Sequence, residues 1–181
     1  MCIRDRGATD GIGLAAAKEV SKKGYHIGLV GRNPEKGKKA IETIISYSGN
    51  ENLDFFECDL SLVKNVKSLS EQIKQKYNKV DVLLNNAGAA NKKKIITSEG
   101  LEKTFATNQM NYFVLSTELL DIISDSNDGR IVNVASNAHI GAEVDYGNIN
   151  SEKSFSAWTS YCVSKLMNIM FTYQLLSLIH I

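Results

Sequence analysis

The segment Gly7-Ala8-Thr9-Asp10-Gly11-Ile12-Gly13 limits what this chain can fold into more than any other. It reads as a glycine-rich turn that opens a helix, with Ile12, Ala15, Ala16 and Val20 at helical spacing and Gly24 closing the element. Gly7 permits a sharp turn, Gly11 lets bare backbone approach a pyrophosphate, and Gly13 lets a helix pack closely on a strand. The helix N-terminus adds free N–H groups and partial positive charge, both suited to phosphates. The spacing is G-x-x-x-G-x-G, and such turns also serve purely structural ends, so residues elsewhere decide between the two.

Beyond Gly24, strand and helix alternate. His26 to Gly31 reads as a short buried strand, ended by Arg32-Asn33-Pro34, and a helix is expected from Pro34 to about Ser46. A third strand runs from Leu53 to Cys58. Ser61 is then placed to cap a helix carrying Val63, Val66, Leu69 and Ile73 on one face. Val80 to Leu84 is a clear strand, ending at Asn85-Asn86-Ala87-Gly88. Ser98 is the expected cap for helical sequence reaching about Ile123, with a break near Asn108, and Asp128-Gly129 forms a turn. Arg130 to Ser136 is another strand, and Ala157 to Leu175 is helical. This order implies a parallel sheet with helices on both faces and a ligand site beyond the strands' carboxyl ends.

Composition narrows the function. With 181 residues, 43% of them hydrophobic, the chain suits one soluble domain with a real core. A formal net charge of +1 gives no electrostatic case for nucleic acid or an anionic membrane, and no apolar run approaches a membrane span. Cys2, Cys58 and Cys162 show neither metal-ligand spacing nor a disulfide framework, which fits a reducing cytoplasmic setting without a metal.

Both ends look foreign to this pattern. A phosphate-binding turn should follow an apolar strand, yet Arg4, Asp5 and Arg6 precede it, and burying such charges unpaired costs several kcal/mol. Met1 to Asp5 can be encoded by ATGTGTATAAGAGAC. The reverse complement of that string, extended by two bases of the Arg6 codon and read in another frame, encodes Leu176-Ser177-Leu178-Ile179-His180-Ile181. It resembles a transposon end used in preparing sequencing libraries. Residues 1–6 and 176–181 are therefore expected to be translated adapter flanking a partial domain, 7–175, with residues 1–6 able to lie in the place of the missing first strand. Such a polypeptide is expected to be unstable and inactive alone, although its parent gene encodes an enzyme.

Taken together, residues 7–175 resemble the short-chain dehydrogenase/reductase family, in particular its retinol-dehydrogenase-like members. The resemblance rests on Gly7, Gly11 and Gly13, on Asp59-Leu60 after the third strand, on Asn85 to Gly88, on Ile131 to Ser136, and on Tyr161-Cys162-Val163-Ser164-Lys165 followed by Leu166 to Thr172. No single piece suffices. With seven tyrosines in the chain, about 0.65 Tyr-x-x-x-Lys matches are expected by chance, and specificity comes from all the motifs in order. The resemblance implies an α/β, Rossmann-type doubly wound parallel sheet with helices on both faces, incomplete here for want of the native first strand and the C-terminal strands. It also implies cofactor contacts from Gly7, Gly11, Ile12, Gly13, Asp59, Leu60, Asn86, Ala87 and Gly88, and a homodimeric parent built through the helices after the fourth and fifth strands.

The implied chemistry is interconversion of an alcohol with an aldehyde or ketone by hydride transfer. Tyr161 and Lys165 lie four apart on a helix and so share a face. An ammonium group and an oxidised nicotinamide both favour the phenolate, which suits Tyr161 as proton donor and acceptor. Lys165 would also hold the nicotinamide ribose. Ser136 would hydrogen-bond the substrate oxygen, and by family analogy Asn108 would position a water for proton relay. Arg32, with no acid before Glu35, favours NADP over NAD at the second strand's end, with Asp10 a mild counterweight. His139 is expected to be a loop residue without a chemical role, and Cys162 and Trp158 to be buried packing. Two other readings share parts of the pattern. The full Asn108–Ser136–Tyr161–Lys165 set disfavours a dinucleotide-binding regulator without turnover, and Asn85 to Gly88 disfavours an extended-branch sugar-nucleotide epimerase.

Overall fold

A computed structural model of the chain describes residues 2–4, as backbone only, and 9–179. Gly7 and Arg6 lie outside the described residues, as do Met1, Asp5, Ala8, His180 and Ile181.

Five strands form one sheet: β1 (Cys2–Arg4), β2 (Ile27–Gly31), β3 (Leu53–Glu57), β4 (Val82–Asn85) and β5 (Arg130–Asn133), in the order β3-β2-β1-β4-β5. Every pairing is parallel. Cys2–Arg4 thus takes the central place expected for a first strand. The register aligns Cys2 with both Ile27 and Val82, and Val82 with Arg130, so the carboxyl ends of β2, β4 and β5 finish along one edge.

Helices cover both faces. Helices α1 (Gly11–Ser21) and α2 (Pro34–Ser48) lie on one side, where Ala17, Ala40 and Ile44 pack with Ile27 and Leu29 of β2. On the other, Val66, Leu69 and Ile73 of α3 (Val63–Lys76) meet Val30, Leu83 and Leu115. Strand β2 is buried along its whole length because it faces helices on both sides. The Asp10 carboxylate accepts from Gly11 N–H at 2.8 Å to cap α1. Asn33 caps α2 through Lys36 N–H at 2.9 Å, with Pro34 in the first turn and Gly49 in the left-handed region at φ 70° closing it.

After β4, the helical stretch is not uniform. It comprises α4 (Lys103–Phe105), a π-helical turn at Ala106–Met110, α5 (Asn111–Glu118) and α6 (Leu120–Ser124). The break expected near Asn108 is that π turn. The helix carrying Tyr161 and Lys165, α7 (Ala157–Ile179), packs on the π turn, on α4, on β5 and on a 3-10 turn at Asn137–His139. Among the described residues, no helix is long and apolar enough to cross a membrane.

Four local expectations are corrected. Ser61 does not cap α3: its N–H and hydroxyl both go to Asp59, at 3.0 and 2.8 Å, and the free N–H groups of Val63 and Lys64 are taken at 2.6 and 3.0 Å by the Glu99 carboxylate. Nor does Ser98 start a helix, because residues 96–102 close on themselves through an antiparallel bridge between Ile96 and Glu102, and Glu102 caps α4 instead. Trp158 is 67% exposed rather than buried, although Cys162 is buried as expected. Strand β5 stops at Asn133, short of Ser136, since the Val134 carbonyl is captured by side chains of α7.

Candidate active site

A cleft of about 860 Å³ opens beyond the carboxyl ends of β2, β4 and β5. On its first wall are Thr9, Asp10, Ile12 and Gly13, from the glycine turn and the start of α1. Gly11 sits among them at φ +52°, a left-handed conformation that costs a residue with Cβ but is free to glycine. Ile12 is 77% exposed, an apolar rim at a helix N-terminus. Gly31, Arg32, Asn33 and Lys36 form the corner at the end of β2. Asn86 and Gly88 follow β4, and Ser136, Tyr161 and Lys165 face them. A Cβ at Gly88 would lie 3.6 Å from the Lys165 Nζ, an ordinary contact distance, which places that ammonium against the loop after β4.

Lys165 is 4% exposed. Its Nζ donates to the Val134 carbonyl at 2.9 Å and lies 6.0 Å from the Tyr161 ring centre. The π turn buries Asn108 completely behind the wall. Its Nδ2 donates to the Ala89 carbonyl at 3.0 Å and to Ser164 Oγ at 2.9 Å, while Oδ1 accepts from Ala89 N–H at 2.8 Å. Both amide hydrogens are committed, so this side chain clamps the loop after β4 onto α7. Ser164 completes the link by donating to the Tyr161 carbonyl at 2.7 Å.

Ser136 Oγ accepts from Ala138 N–H at 3.2 Å, which orients the hydroxyl and leaves its own hydrogen for another acceptor. His139 sits on the 3-10 turn with Nδ1 2.6 Å from the Ser136 carbonyl, and it is not among the cleft's lining residues.

Several expected contacts lie elsewhere. Ala87 and Leu60 are buried in the core between the sheet and α3, so their side chains do not reach the cleft. Asp59 lines a neighbouring depression with Arg32, Glu57 and Asn65. Burial pushes its carboxyl up, but the Ser61 N–H and hydroxyl, Lys103 and Arg32 outweigh that and hold it below the usual carboxylate range. Sequence reasoning missed Lys36, which the Pro34 start of α2 puts one helical turn beyond Arg32 on the same wall. It also missed Val134 and Ala89, whose contribution is through backbone groups that no side-chain motif records.

Arg32, Lys36 and Lys165 against Asp10 give the cleft a positive balance, and glycines stand where backbone must come close. These features fit an elongated dinucleotide phosphate ester. Among the described residues, no group of three His, Cys, Asp or Glu side chains could hold a metal ion.

Fold and cleft together define a Rossmann-type α/β protein. The chain belongs to the short chain dehydrogenase family, whose model matches residues 6–179. It is 32% identical over 173 residues to human polyprenol dehydrogenase, covering 93% of this chain and 52% of that protein. It is 34% identical over 169 residues to human retinol dehydrogenase 11, covering 93% and 53%. The chain therefore spans about half the length of the curated relatives it matches. Among solved structures, a protein from Mycobacterium paratuberculosis superposes with a TM-score of 0.82 at 28% identity, over 96% of this chain and 60% of that one. A short chain dehydrogenase from Shigella flexneri, complexed with NADP, shares the fold with a TM-score of 0.74 at 24% identity, over 94% and 67%.

Proposed function

We propose that this chain carries the cofactor-binding and proton-transfer residues of an NADP-dependent oxidoreductase that interconverts an alcohol and its aldehyde or ketone. One observation carries the reading: Ser136, Tyr161 and Lys165 line a single cleft with the glycine turn and the loop after β4. The proposed division of labour rests on their chemistry. Tyr161 gives its phenolic proton to the substrate oxygen in reduction and takes it back in oxidation. Lys165, held on the Val134 carbonyl, sets its positive charge 6.0 Å from the Tyr161 ring centre, on the side of the cleft where the proton moves. Ser136 donates its hydroxyl hydrogen to the same substrate oxygen and stabilises the charge developing there. When bound, the nicotinamide supplies or takes up the hydride.

The NADP preference rests on Arg32 and Lys36, two cations at the end of β2 where a carboxylate would serve a free ribose hydroxyl. The relatives named as polyprenol and retinol dehydrogenases support an apolar alcohol as substrate class. Turnover of apolar alcohols and aldehydes with NADP(H) and NAD(H), in the full-length parent protein and in its Tyr161→Phe variant, tests the proposal. The variant is expected to lose about 10²-fold or more in kcat with little change in cofactor affinity. Unchanged turnover overturns the role of Tyr161, and a strong preference for NADH overturns the cofactor assignment.

A further inference from the structure

Lys165 is buried against a second aromatic ring besides Tyr161. Its Nζ lies 5.5 Å from the ring centre of Tyr112, which is fully buried on α5, four residues after Asn108. An aromatic face carries negative electrostatic potential and attracts a cation, most strongly where water is excluded. At 4% exposure, Lys165 has given up most of its hydration, and burial by itself disfavours an ammonium. Two features compensate on the near side, the Val134 carbonyl and the Tyr112 ring. The geometry points to Tyr112 as a positioning residue of this site: its ring forms the floor on which the Lys165 ammonium rests, keeping it charged and directed towards Tyr161.

Tyr161 shares α7 with Lys165, while Asp10, Arg32 and Lys36 lie further round the cleft. His139, on the 3-10 turn packed against α7, is turned to the Ser136 carbonyl. The ammonium lies over both the Tyr112 ring, at 5.5 Å, and the Tyr161 ring, at 6.0 Å. Tyr112 is the fully buried one, so its face acts on the charge where water is excluded and helps set how readily Lys165 keeps its proton. The π turn matters here, because it carries Asn108 to the Ala89 loop and leads directly into the helix that presents Tyr112.

This inference rests on the proposed pairing of Lys165 with Tyr161, but its test does not require turnover. Lysine labelled with ¹³C at Cε reports the Lys165 pKa by NMR titration of the full chain, the resonance being assigned with Lys165→Arg. Position 112 is filled in turn by tyrosine, phenylalanine, and mono- and trifluorinated phenylalanine, a series that weakens the ring's negative face at nearly constant shape. The Lys165 pKa is expected to fall stepwise, by about one unit between phenylalanine and the trifluoro ring, a tenfold change in proton affinity. Tyr112→Phe keeps the ring and is expected to stay close to the native value. Ile44→Ala, a cavity in the separate core on the other face of the sheet, controls for general loosening and is expected to leave the pKa in place. A pKa that is flat across the fluorinated series overturns the inference, as does an equal shift in Ile44→Ala. Loss of the proposed activity reading would show instead as unchanged turnover in Tyr161→Phe, whatever the titration gives.

Discussion

Replacing Asn108 by alanine removes the clamp between the β4 loop and α7. Three hydrogen bonds go with it, two to the backbone of Ala89 and one to Ser164. A buried amide bond contributes about 1 kcal/mol net, so the loss comes to about 3 kcal/mol, moderated if water reaches the half-buried Ala89 groups. We expect Asn108→Ala to cost about 2–4 kcal/mol, a fall in Tm of about 10 °C for a chain of this size. Asn108→Asp keeps the shape but turns an acceptor towards the Ala89 carbonyl. Burial raises the folded-state pKa of that carboxyl above its unfolded value of about 3.9. The aspartate variant is therefore least destabilised below about pH 4 and loses stability as pH rises towards the folded-state value. Urea denaturation at several pH values, with the slope checked for constancy, measures both effects. A double-mutant cycle with Ser164→Ala should return a coupling of about 1 kcal/mol. A loss below about 0.5 kcal/mol in Asn108→Ala at unchanged slope would refute the clamp.

The packing sets three further outcomes. Burial pushes the Asp54 carboxyl up, but Lys76, Tyr77 and His26, the last at 2.7 Å, outweigh it and hold it below its usual range. Its contribution is thus present above the unfolded pKa and disappears as pH falls through the folded-state value. Acid titration of stability should show this in the native chain and not in Asp54→Asn. Glu99→Ala strips the cap from α3 and should cost about 1 kcal/mol by denaturant titration, with Glu99→Gln milder because it keeps one acceptor. In Gly37→Ala the new Cβ would meet three ring atoms of Phe55 at 2.5–2.6 Å, so a helix-propensity gain of about 1 kcal/mol is overtaken and calorimetry should show a lower Tm.

The alternation of strands and helices was legible because each element carries its own period. The continuous apolar run of β2 and the one-sided pattern of α3 announce burial on two faces and on one. The residues at the strand ends were legible for a related reason: a parallel sheet sends all its carboxyl ends to one edge, so motifs far apart in sequence meet there. What escaped was settled at long range. The cap of α3 comes from Glu99, 36 residues away from Val63, where a local pattern pointed to Ser61. The start of α4 was hidden by the Ile96–Glu102 bridge, which ties off a turn that reads as helical. Trp158 reads as core because it is large and apolar, yet it lies on the outer face of α7, tilted against Tyr161 with ring centres 6.1 Å apart. Tyr112 carried no motif, and only the fold reveals that it lies beneath Lys165.

Lys165 and Asn168 both end on the Val134 carbonyl, and Asn108 grips the N–H and C=O of Ala89. Peptide groups are common to every residue type, with only proline lacking the N–H. The seat of the helix bearing Tyr161 is therefore indifferent to which side chains stand at 89 and 134. Side chains at 89 and 134 can change, and so reshape the mouth of the cleft, while Tyr161 and Lys165 keep their place on α7.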